Sequence, residues 1–439
     1  MNTSQLARKL SWLIAAILLL LPFHALLTTW IGSNTGHLDL IRIWKEILIV
    51  IMLPFGLWLA LRDKTLRSWL WRSWLVRLIW LYILLTLILA GWSATQHTAV
   101  NSAIIYGLII NLRFFGFFLL CAVVAAHDNW LKRFWHYLLL GPAFVVTVFG
   151  LVQRFLLPYD FLKHFGYSPK TIPAYQTVDA SIDFRRIQST LRGANPLGAY
   201  LVPIITTLAA WRYHRRLLQV LTLIGALTLM YFSYSRSAWV GLAISLGLLS
   251  WWTTKHKRQT SQLVIAIGLL IFVAGGTAYF AHYNKTLQDT LFHTSSSSTS
   301  KLSSNAQRIQ AIKNGFHDVV HQPLGRGVGT AGPASARNTG HPVRIAENYY
   351  LQLGQEVGVI GIFLFAAINI LLARELWAYR HDVLAKILLA SLVGISFINL
   401  VSHAWTDDTL SLIWWGLAGI MLGSILMKRR NNNAQTQKS

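Results

Sequence analysis

The chain has 439 residues, of which 54% are hydrophobic and only 12% are charged, and its formal net charge is +24. A water-soluble domain carries about twice this fraction of charged residues, so the composition excludes an ordinary soluble enzyme. The basic residues are spread over short segments between apolar runs, and we therefore expect no nucleic-acid partner. The single cysteine, Cys121, excludes an intrachain disulfide framework.

Apolar runs of about 20 residues recur along the whole chain, and this is the length that an α-helix needs to cross a bilayer. Twelve spans are predicted, at 10–32, 45–61, 75–92, 103–126, 135–156, 196–211, 217–233, 237–252, 262–282, 348–373, 384–403 and 409–427. The first is too long for the apolar core of a typical signal peptide, so we interpret it as a retained span. The predicted fold is an all-α polytopic membrane helix bundle with about twelve transmembrane helices and a large external loop containing short helices.

The distribution of Lys and Arg predicts the orientation of this bundle. Alternate loops and the C-terminal tail are basic, and the positive-inside rule places them, with both termini, in the cytoplasm. The predicted organisation is transmembrane helices 1–5 in residues 1–156, an external loop at 157–195, helices 6–9 in 196–282, a large external loop at 283–347, helices 10–12 in 348–427 and a basic cytoplasmic tail at 428–439.

The large external loop divides into three parts. SSSSTSKLSS (295–304) is typical of a flexible linker. RIQAIKNGFHDVV (308–320) has the spacing of a helix with one apolar stripe, formed by Ile309, Ile312, Phe316 and Val319. HQPLGRGVGTAGP (321–333) ends this helix and predicts a compact glycine-rich loop.

The stretch AENYYLQLGQEVGVIG (346–361) opens a predicted span but is unusually polar. If it is helical, Asn348, Gln352, Gln355 and Glu356 lie on one face. Polar groups at membrane depth are costly unless they face protein or water, so we expect this face to line an interior cavity open to the outer side. The alternative is hydrogen bonding between helices inside the bundle.

Arginines of the predicted outer loops are candidate ligands for phosphate: Arg192, Arg236, Arg308, Arg326 and Arg344. Arg236 lies in FSYSRSAWVGL, at a short turn between two spans, and Arg192 lies in RIQSTLRGANPLGAYL, before a span. Guanidinium groups bind phosphate through paired hydrogen bonds and stay charged at any working pH. The alternatives are a snorkelling anchor for Arg236 and solvated surface charges for the others.

Four motifs follow one another on the predicted outer side: RIQSTLRGANPLGAYL, SRSAWVG, PLGRGVGT and ENYYLQLGQEVGVIG. In this order and spacing they resemble the O-antigen ligase and O-antigen polymerase superfamily, bacterial integral-membrane enzymes that move glycans from undecaprenyl diphosphate. The resemblance covers about residues 186–361. It implies an inverting, metal-independent glycosyltransferase without a cofactor. It also implies a lipid-linked glycan donor, a glycolipid or glycan acceptor such as lipid A–core, and a site on the outer, periplasmic face of the cytoplasmic membrane.

The resemblance also implies roles for individual residues. Arg236 and Arg308 match the family's two arginines that hold the donor diphosphate. The ligase signature is His, a small amide or hydroxyl residue, nine residues and Gly-x-x-Gly; Asn348, Gly358 and Gly361 fit it. Glu347 occupies the position of the His and is the predicted general base.

Other residues complete the predicted site. His341 and His403 are alternative bases, and Arg344 is a cation that could offset the charge of Glu347. The predicted substrate-binding residues are Arg192, Arg326, Arg344, Asn348 and Gln352.

Several alternatives share the sequence features. A polysaccharide polymerase or a protein O-oligosaccharyltransferase of the same superfamily would use the same chemistry on another acceptor. No D-x-D motif occurs, but Asp407–Asp408 would suit a metal-dependent glycosyltransferase of a different fold. A transporter or flippase usually has intramembrane carboxylates or inverted repeats, and the predicted spans contain few acidic residues.

Overall fold

The computed structural model describes residues 2–178, 181–211, 215–253 and 304–436. The chain is 79% helical with almost no strands, and the predicted class of a helical membrane protein is confirmed. The predicted span 262–282 and the predicted linker up to residue 303 lie outside the described residues.

The first half of the chain is formed by helices alone. They are α1 (Thr3–Leu20), α2 (His24–Thr35), α3 (Leu38–Arg42), α4 (Trp44–Arg62), α5 (Lys64–Arg72), α6 (Trp74–Thr95), α7 (Asn101–His127) and α8 (Trp130–Phe155). A 3-10 turn at Leu21–Phe23 joins α1 to α2. Pro22 lies in this turn, and its missing N–H interrupts the α-helical ladder, so the first predicted span is two helices.

The second half begins with a small hairpin that the sequence patterns did not predict. Strands β1 (Gln176–Val178) and β2 (Ser181–Arg186) are antiparallel, with Gln176 opposite Arg186. The helices that follow are α9 (Ala194–Ala210), α10 (Arg216–Phe232), α11 (Arg236–Thr253), α12 (Ser304–His321), α13 (Gly332–Ser335), α14 (Tyr349–Ala378), α15 (Val383–Ile398) and α16 (Asp408–Thr436).

Seven helical segments among the described residues are long and apolar enough to cross a membrane: α1 with α2, α4, α6, α7, α8, α14 and α16. Helices α9, α10 and α15 are shorter and apolar, and each lies at a predicted span. The total of twelve spans stays a prediction.

The bundle is packed most closely where α16 lies against α7. Gly416, Gly419 and Gly423 recur along α16, and a Cβ at Gly419 would lie 2.4 Å from the carbonyl oxygen of Phe118. Small residues allow two membrane helices to approach at the level of their backbones. At one end of this contact the buried rings of Trp405, Trp414 and Trp415 pack against one another.

Ion pairs identify one end of the bundle, which we call the basic end. Three of them join segments that are distant in the chain: Arg8 to Asp128 (3.2 Å), Lys132 to Asp382 (2.7 Å) and Arg430 to Asp63 (2.7 Å). The helices lead from here to the opposite end, which we call the loop end. It is formed by the segments 156–193, 322–348 and 399–407.

Helix α12 confirms the predicted helix in the large loop, but only part of its predicted apolar stripe packs against the protein. Ile309 and Phe316 are exposed, whereas Val319 is buried against Gly354 of α14. Gly315 of α12 lies against Ala346. Close contact through two glycines, rather than through large side chains, therefore seats α12 on the start of α14.

Candidate active site

The candidate site is built around a break in α14. Gly358 has φ 72° and ψ −177°, so the helix stops and restarts there. A Cβ at this position would lie 2.5 Å from the carbonyl oxygen of Pro323, and only glycine fits both the dihedral angles and the space. The first glycine of the Gly-x-x-Gly signature is therefore required by the backbone.

The glycine-rich loop supplies the hydrogen bonds that the broken helix loses. Three backbone bonds join them: Arg326 N to Gln355 O (2.8 Å), Gly327 N to Glu356 O (3.0 Å) and Val359 N to Pro323 O (2.8 Å). Buried backbone groups need such partners, because leaving one unpaired costs about 1–3 kcal/mol. The loop and the signature segment are thus one structural unit.

The polar side chains at the start of α14 mostly form hydrogen bonds within the protein. Glu356 is buried. Its carboxylate accepts hydrogen bonds from Asn111 Nδ2 at 2.9 Å and from the amide of Gly329 at 2.9 Å. Gln355 donates to Asp318 at 2.8 Å. These contacts match the alternative of internal hydrogen bonding, although Gln355 also lines a cavity of about 640 Å³.

The two predicted substrate-binding residues of this segment also have internal contacts. Asn348 caps α14: its side-chain oxygen accepts from the amide of Leu351 at 3.0 Å, and its Nδ2 donates to the carbonyl of Leu400 at 2.8 Å. Gln352 is buried, and its side chain lies against Gly332. Asn348 thus fixes the start of α14 beside the segment 399–407, and Gln352 packs it against α13.

Glu347 immediately precedes this cap and has an unusual backbone. Its φ is 51°, a left-handed conformation that is rare for a residue with a side chain. Its carboxylate lies 3.5 Å from Nη2 of Arg308, which begins the second turn of α12. The carboxylate thus pairs with Arg308, and Arg344 lies elsewhere, 3.9 Å from Asp318.

His403 lies at the same place as Glu347. Burial lowers the pKa of His403 below its ordinary value; Glu347 opposes this shift, whereas Arg192 and Arg308 add to it. The imidazole is therefore neutral at pH 7 and able to accept a proton. Two of the three predicted bases share one site, while His341 is exposed and lines a separate cavity of about 490 Å³.

Arg308 also belongs to a group of guanidiniums, which we call the arginine cluster: Arg186, Arg236 and Arg308. Burial, together with the charges of Arg308 and Arg236, lowers the pKa of Arg186 to about 10. Arg186 is held in place, because its Nε donates to the carbonyl of Ser233 at 2.9 Å and its Nη2 donates to Asn195 at 2.5 Å. The lowered pKa indicates a positive potential, which favours an anion.

The turns around this cluster are conformationally strained. Among the described residues, four that are not glycine have positive φ, and Ser189, Tyr234 and Glu347 are three of them. Ser189 and Glu347 lie in two loop-end segments, and Tyr234 lies in the turn before α11, two residues from Arg236. Arg236 begins α11 just after Tyr234, so the positive end of the helix dipole adds to the cluster.

Sequence reasoning did not select Arg186 as a site residue. It opens the same stretch, RIQSTLRGANPL, that pointed to Arg192, so the signal was present. Its role depends on strand β2, which carries it to the turn before α11, and no pattern predicted that strand.

Arg326 and Arg344 form a second group around Asp318, which we call the Asp318 group. Arg326 Nη2 lies 3.0 Å from Asp318 Oδ1, and Arg344 lies 3.9 Å from Asp318 Oδ2. Asp318 and Arg308 are both in α12, and ten residues of helix separate them by about 15 Å. The five predicted arginines therefore do not converge on one point.

Arg192 lines a third region, a cavity of about 610 Å³ between α3, α4 and α7. Arg42 and Arg337 line it as well, and Arg337 lies over the ring of Tyr106 at 4.4 Å. Burial lowers the pKa of Arg42, and Arg337 and Arg192 add to this shift, although the carboxylate of Asp39 opposes it. Since Arg192 also acts on His403, this cavity adjoins the Glu347 site.

The floor of this cavity is a buried ionic network. Arg113 lies 3.1 Å from Glu46, and Lys45 lies 2.9 Å from Asp408, which is also 3.0 Å from His24. Glu46 is thus an interior ion-pair partner of Arg113. Asp408, half of the acidic pair considered for a metal, is occupied by these cationic and imidazole partners.

The sequence profile of the O-antigen ligase family matches residues 199–366. No curated protein matches the chain. The matched region contains Arg236, Arg308, the glycine-rich loop and the signature from Glu347 to Gly361, which confirms the resemblance seen in the motifs. Residues 199–366 of this membrane protein are therefore similar to the O-antigen ligase family.

Proposed function

We propose that this chain is an O-antigen ligase-like inverting glycosyltransferase. It transfers a glycan from undecaprenyl diphosphate to a hydroxyl of lipid A–core or a similar glycolipid, at the outer face of the bacterial cytoplasmic membrane. The observation that carries the proposal is the meeting of Glu347 with Arg308 and His403, beside the arginine cluster and within or next to the matched domain.

The donor diphosphate binds at the arginine cluster in this proposal. Arg308 and Glu347 have side chains that are 35% and 30% exposed, so a ligand can reach them. Their contact of 3.5 Å is loose, and the guanidinium keeps N–H groups for phosphate oxygens. Arg186 contributes positive potential from a fixed position, and Arg236 does so from the start of α11.

The reaction is a displacement at the anomeric carbon. The acceptor oxygen forms a bond to that carbon while the bond to the diphosphate oxygen breaks. The acceptor proton passes to Glu347, and undecaprenyl diphosphate leaves with the bonding electron pair. A positioned base contributes about 10²–10⁴-fold. The arginines stabilise the charge that develops on the leaving group, which is the electrostatic part of catalysis.

Glu347 has a disadvantage that a histidine lacks, since its negative charge repels the diphosphate. Arg308, a member of the arginine cluster, lies next to this carboxylate, so its positive charge offsets the repulsion. His403 is the alternative base, and it lies close enough to Glu347 for the carboxylate to raise the pKa of His403.

The cavity lined by Arg42, Arg192 and Arg337 is the proposed approach of the acceptor. It adjoins the base through Arg192, and Leu40 and Ile105 in its wall are exposed apolar side chains. A lipid-anchored acceptor can then reach the base from the side of α3 and α7, away from the arginine cluster.

The orientation follows from charge. The basic end is placed in the cytoplasm with both termini, since Lys and Arg concentrate in its loops. The loop end, with Glu347 and the arginine cluster, then faces outward, where finished lipid-linked glycans are available.

The test is a reconstituted reaction. Purified protein in liposomes receives labelled undecaprenyl-diphosphate glycan and lipid A–core, with EDTA and without ATP, and the products are identified by mass spectrometry. We expect labelled glycan on the glycolipid. Longer chains on the donor lipid would instead identify a polymerase, and labelled protein would identify a protein transferase. Movement of intact donor across the bilayer without covalent transfer would overturn the proposal.

A further inference from the structure

The basic end contains a cavity of about 660 Å³ that has no part in the proposed reaction. It lies between α5, the start of α6, and the ends of α14 and α16. Its polar lining includes Lys64, Arg72, Arg374, Glu375 and Arg429. A volume of this order is typical of small-ligand sites.

The charges of this cavity are not balanced. Four cations and one carboxylate line it. Within the described parts of the chain, Lys64, Arg72 and Arg374 have no ion pair within 4.0 Å, and neither has Glu375. Arg429 has a weak contact with the hydroxyl of Tyr379, at 3.4 Å. Elsewhere at this end the cations of Arg8, Lys132 and Arg430 each pair with an aspartate.

Helix α5 is fixed across one side of the cavity. Asp63 caps it by accepting from the amides of Thr65 and Leu66, and the same carboxylate pairs with Arg430 of α16 at 2.7 Å. Leu66 and Leu70 are buried beneath the helix. The amphipathic helix therefore lies on the bundle as interfacial helices lie at a membrane surface.

Part of the cavity lining is apolar. It is formed by Trp69, Trp74, Leu75, Leu371, Leu422, Ile425 and Leu426. Trp74 is 67% exposed, and the neighbouring Trp71 is 59% exposed. Exposed tryptophans next to arginines mark the level of lipid headgroups. The cavity thus combines cations with a hydrocarbon-like surface.

We propose that this cavity binds the headgroup of an anionic phospholipid from the leaflet at the basic end. The phosphate lies among Lys64, Arg72, Arg374 and Arg429, and an acyl chain follows the wall of Leu371, Leu422 and Leu426. A basic residue near an anionic membrane surface contributes about 1 kcal/mol of attraction. The apolar wall favours a lipid over a soluble phosphate.

Bound lipid joins the ends of α5, α6, α14 and α16. A ligand that binds only the folded state raises its stability in proportion to the logarithm of its concentration. The lipid therefore stabilises the bundle at the end opposite Glu347, and this effect is independent of glycan transfer.

The experiment compares 1-palmitoyl-2-oleoyl phosphatidylglycerol with the matching phosphatidylcholine. The protein is titrated with each lipid in detergent, and retained lipid is counted by native mass spectrometry alongside the melting temperature. We expect phosphatidylglycerol to be retained and to raise the melting temperature more than phosphatidylcholine. Equal retention of the two lipids would overturn the proposal.

Variants then locate the site. Arg72→Gln, Arg374→Gln and Arg429→Gln are combined, and the matched control combines Arg62→Gln, Arg67→Gln and Lys428→Gln. The control removes the same charge from exposed positions at the same end that do not line the cavity.

We expect the cavity variant to lose the preference for phosphatidylglycerol at least about tenfold, on the scale of one basic contact, while the control retains it. An equal loss of this preference in both variants would mean that anionic lipid is attracted to the basic surface in general, and it would overturn the proposed site. Ser68→Glu, which adds a carboxylate to the exposed cavity lining, gives a second measurement and should also weaken retention.

Discussion

Two groups of arginines lie at the loop end, and they are used differently. In the Asp318 group, one carboxylate faces Arg326 and Arg344 and accepts from Gln355, so its oxygens are occupied. At the Glu347 site, the carboxylate has a loose contact with Arg308 at 3.5 Å. Both groups use the same residue types within one loop region.

The comparison shows that charge environment separates a structural group from a candidate site. The Asp318 group is tied to the glycine-rich loop, because the backbone amide of Arg326 also bonds to Gln355. In the arginine cluster, by contrast, burial and the charges of Arg308 and Arg236 together lower the pKa of Arg186 to about 10. Positive charges held together in this way favour an incoming anion.

The largest expected effect is at Glu347. Glu347→Gln should lower glycan transfer by about 10²–10⁴-fold, because it removes the base without changing the shape of the side chain. Turnover of labelled donor in liposomes measures the effect, and thermal unfolding shows whether the variant is folded. Asp318→Asn is the matched control, and it should retain most of the turnover. Near-normal transfer by Glu347→Gln would remove Glu347 from the mechanism.

Replacing one arginine from each group sharpens the comparison. Arg308→Gln should lower kcat/KM for the diphosphate donor by about 10²–10³-fold, the usual cost of one electrostatic contact in a transition state. Arg326→Gln should have a much smaller effect on this constant, since Arg326 belongs to the Asp318 group. Equal losses in the two variants would mean that the groups do not differ in function.

The dependence of kcat/KM on pH tests the role of His403, the neighbour of Glu347. Burial lowers the pKa of His403, so the neutral ring persists as the pH falls below its ordinary value of about 6.5. If the ring must be neutral, kcat/KM should fall only below about pH 6.5. Glu347 raises this pKa, so the residual activity of Glu347→Gln should decline at a still lower pH.

The fall in kcat/KM at low pH, which we call the acid limb, should be absent in His403→Gln. It should be unchanged in His341→Gln, because the side chain of His341 is exposed in another cavity. Rate measurements from pH 5 to pH 8 at saturating acceptor provide the comparison. An identical acid limb in wild type and His403→Gln would exclude His403 as its source.

The smallest expected effect concerns the backbone that joins the two groups. Gly358→Ala should destabilise the protein by about 1–3 kcal/mol, because the left-handed φ and the contact with Pro323 strain any side chain. Gly91→Ala is the control in helix α6, where an added Cβ meets nothing within 4 Å. It should be neutral or stabilising, by about 0.5–1 kcal/mol. Melting temperatures in detergent measure both effects. An unchanged melting temperature for Gly358→Ala would contradict a strained break in α14 at this residue.

Much of the architecture could be predicted because it depends on local patterns. Apolar runs indicated the spans, and 308–320 was correctly predicted as helix. The packed face of α12 could not be predicted in the same way. Its contact with α14 uses Gly315 and one stripe residue, Val319, while Ile309 and Phe316 of the same stripe are exposed, since close approach depends on the partner surface.

The grouping of the candidate site residues was only partly predictable. The motifs named Arg236, Arg308 and Glu347, but Arg344 was the expected partner of Glu347 and Arg308 is the observed one. Arg344 is nearer in the chain, yet α12 carries Arg308 to the start of α14. Arg186 required strand β2, a short element whose pattern was too weak to recognise.

By itself, the sequence determined that this is a helical membrane protein and that residues 199–366 resemble the O-antigen ligase family, because both are recorded in local composition and residue order. Only the tertiary structure decided which arginine meets which carboxylate and why Gly358 is needed. Those outcomes depend on contacts between segments far apart in the chain, where distance and burial, rather than residue type, set the energy of a charge.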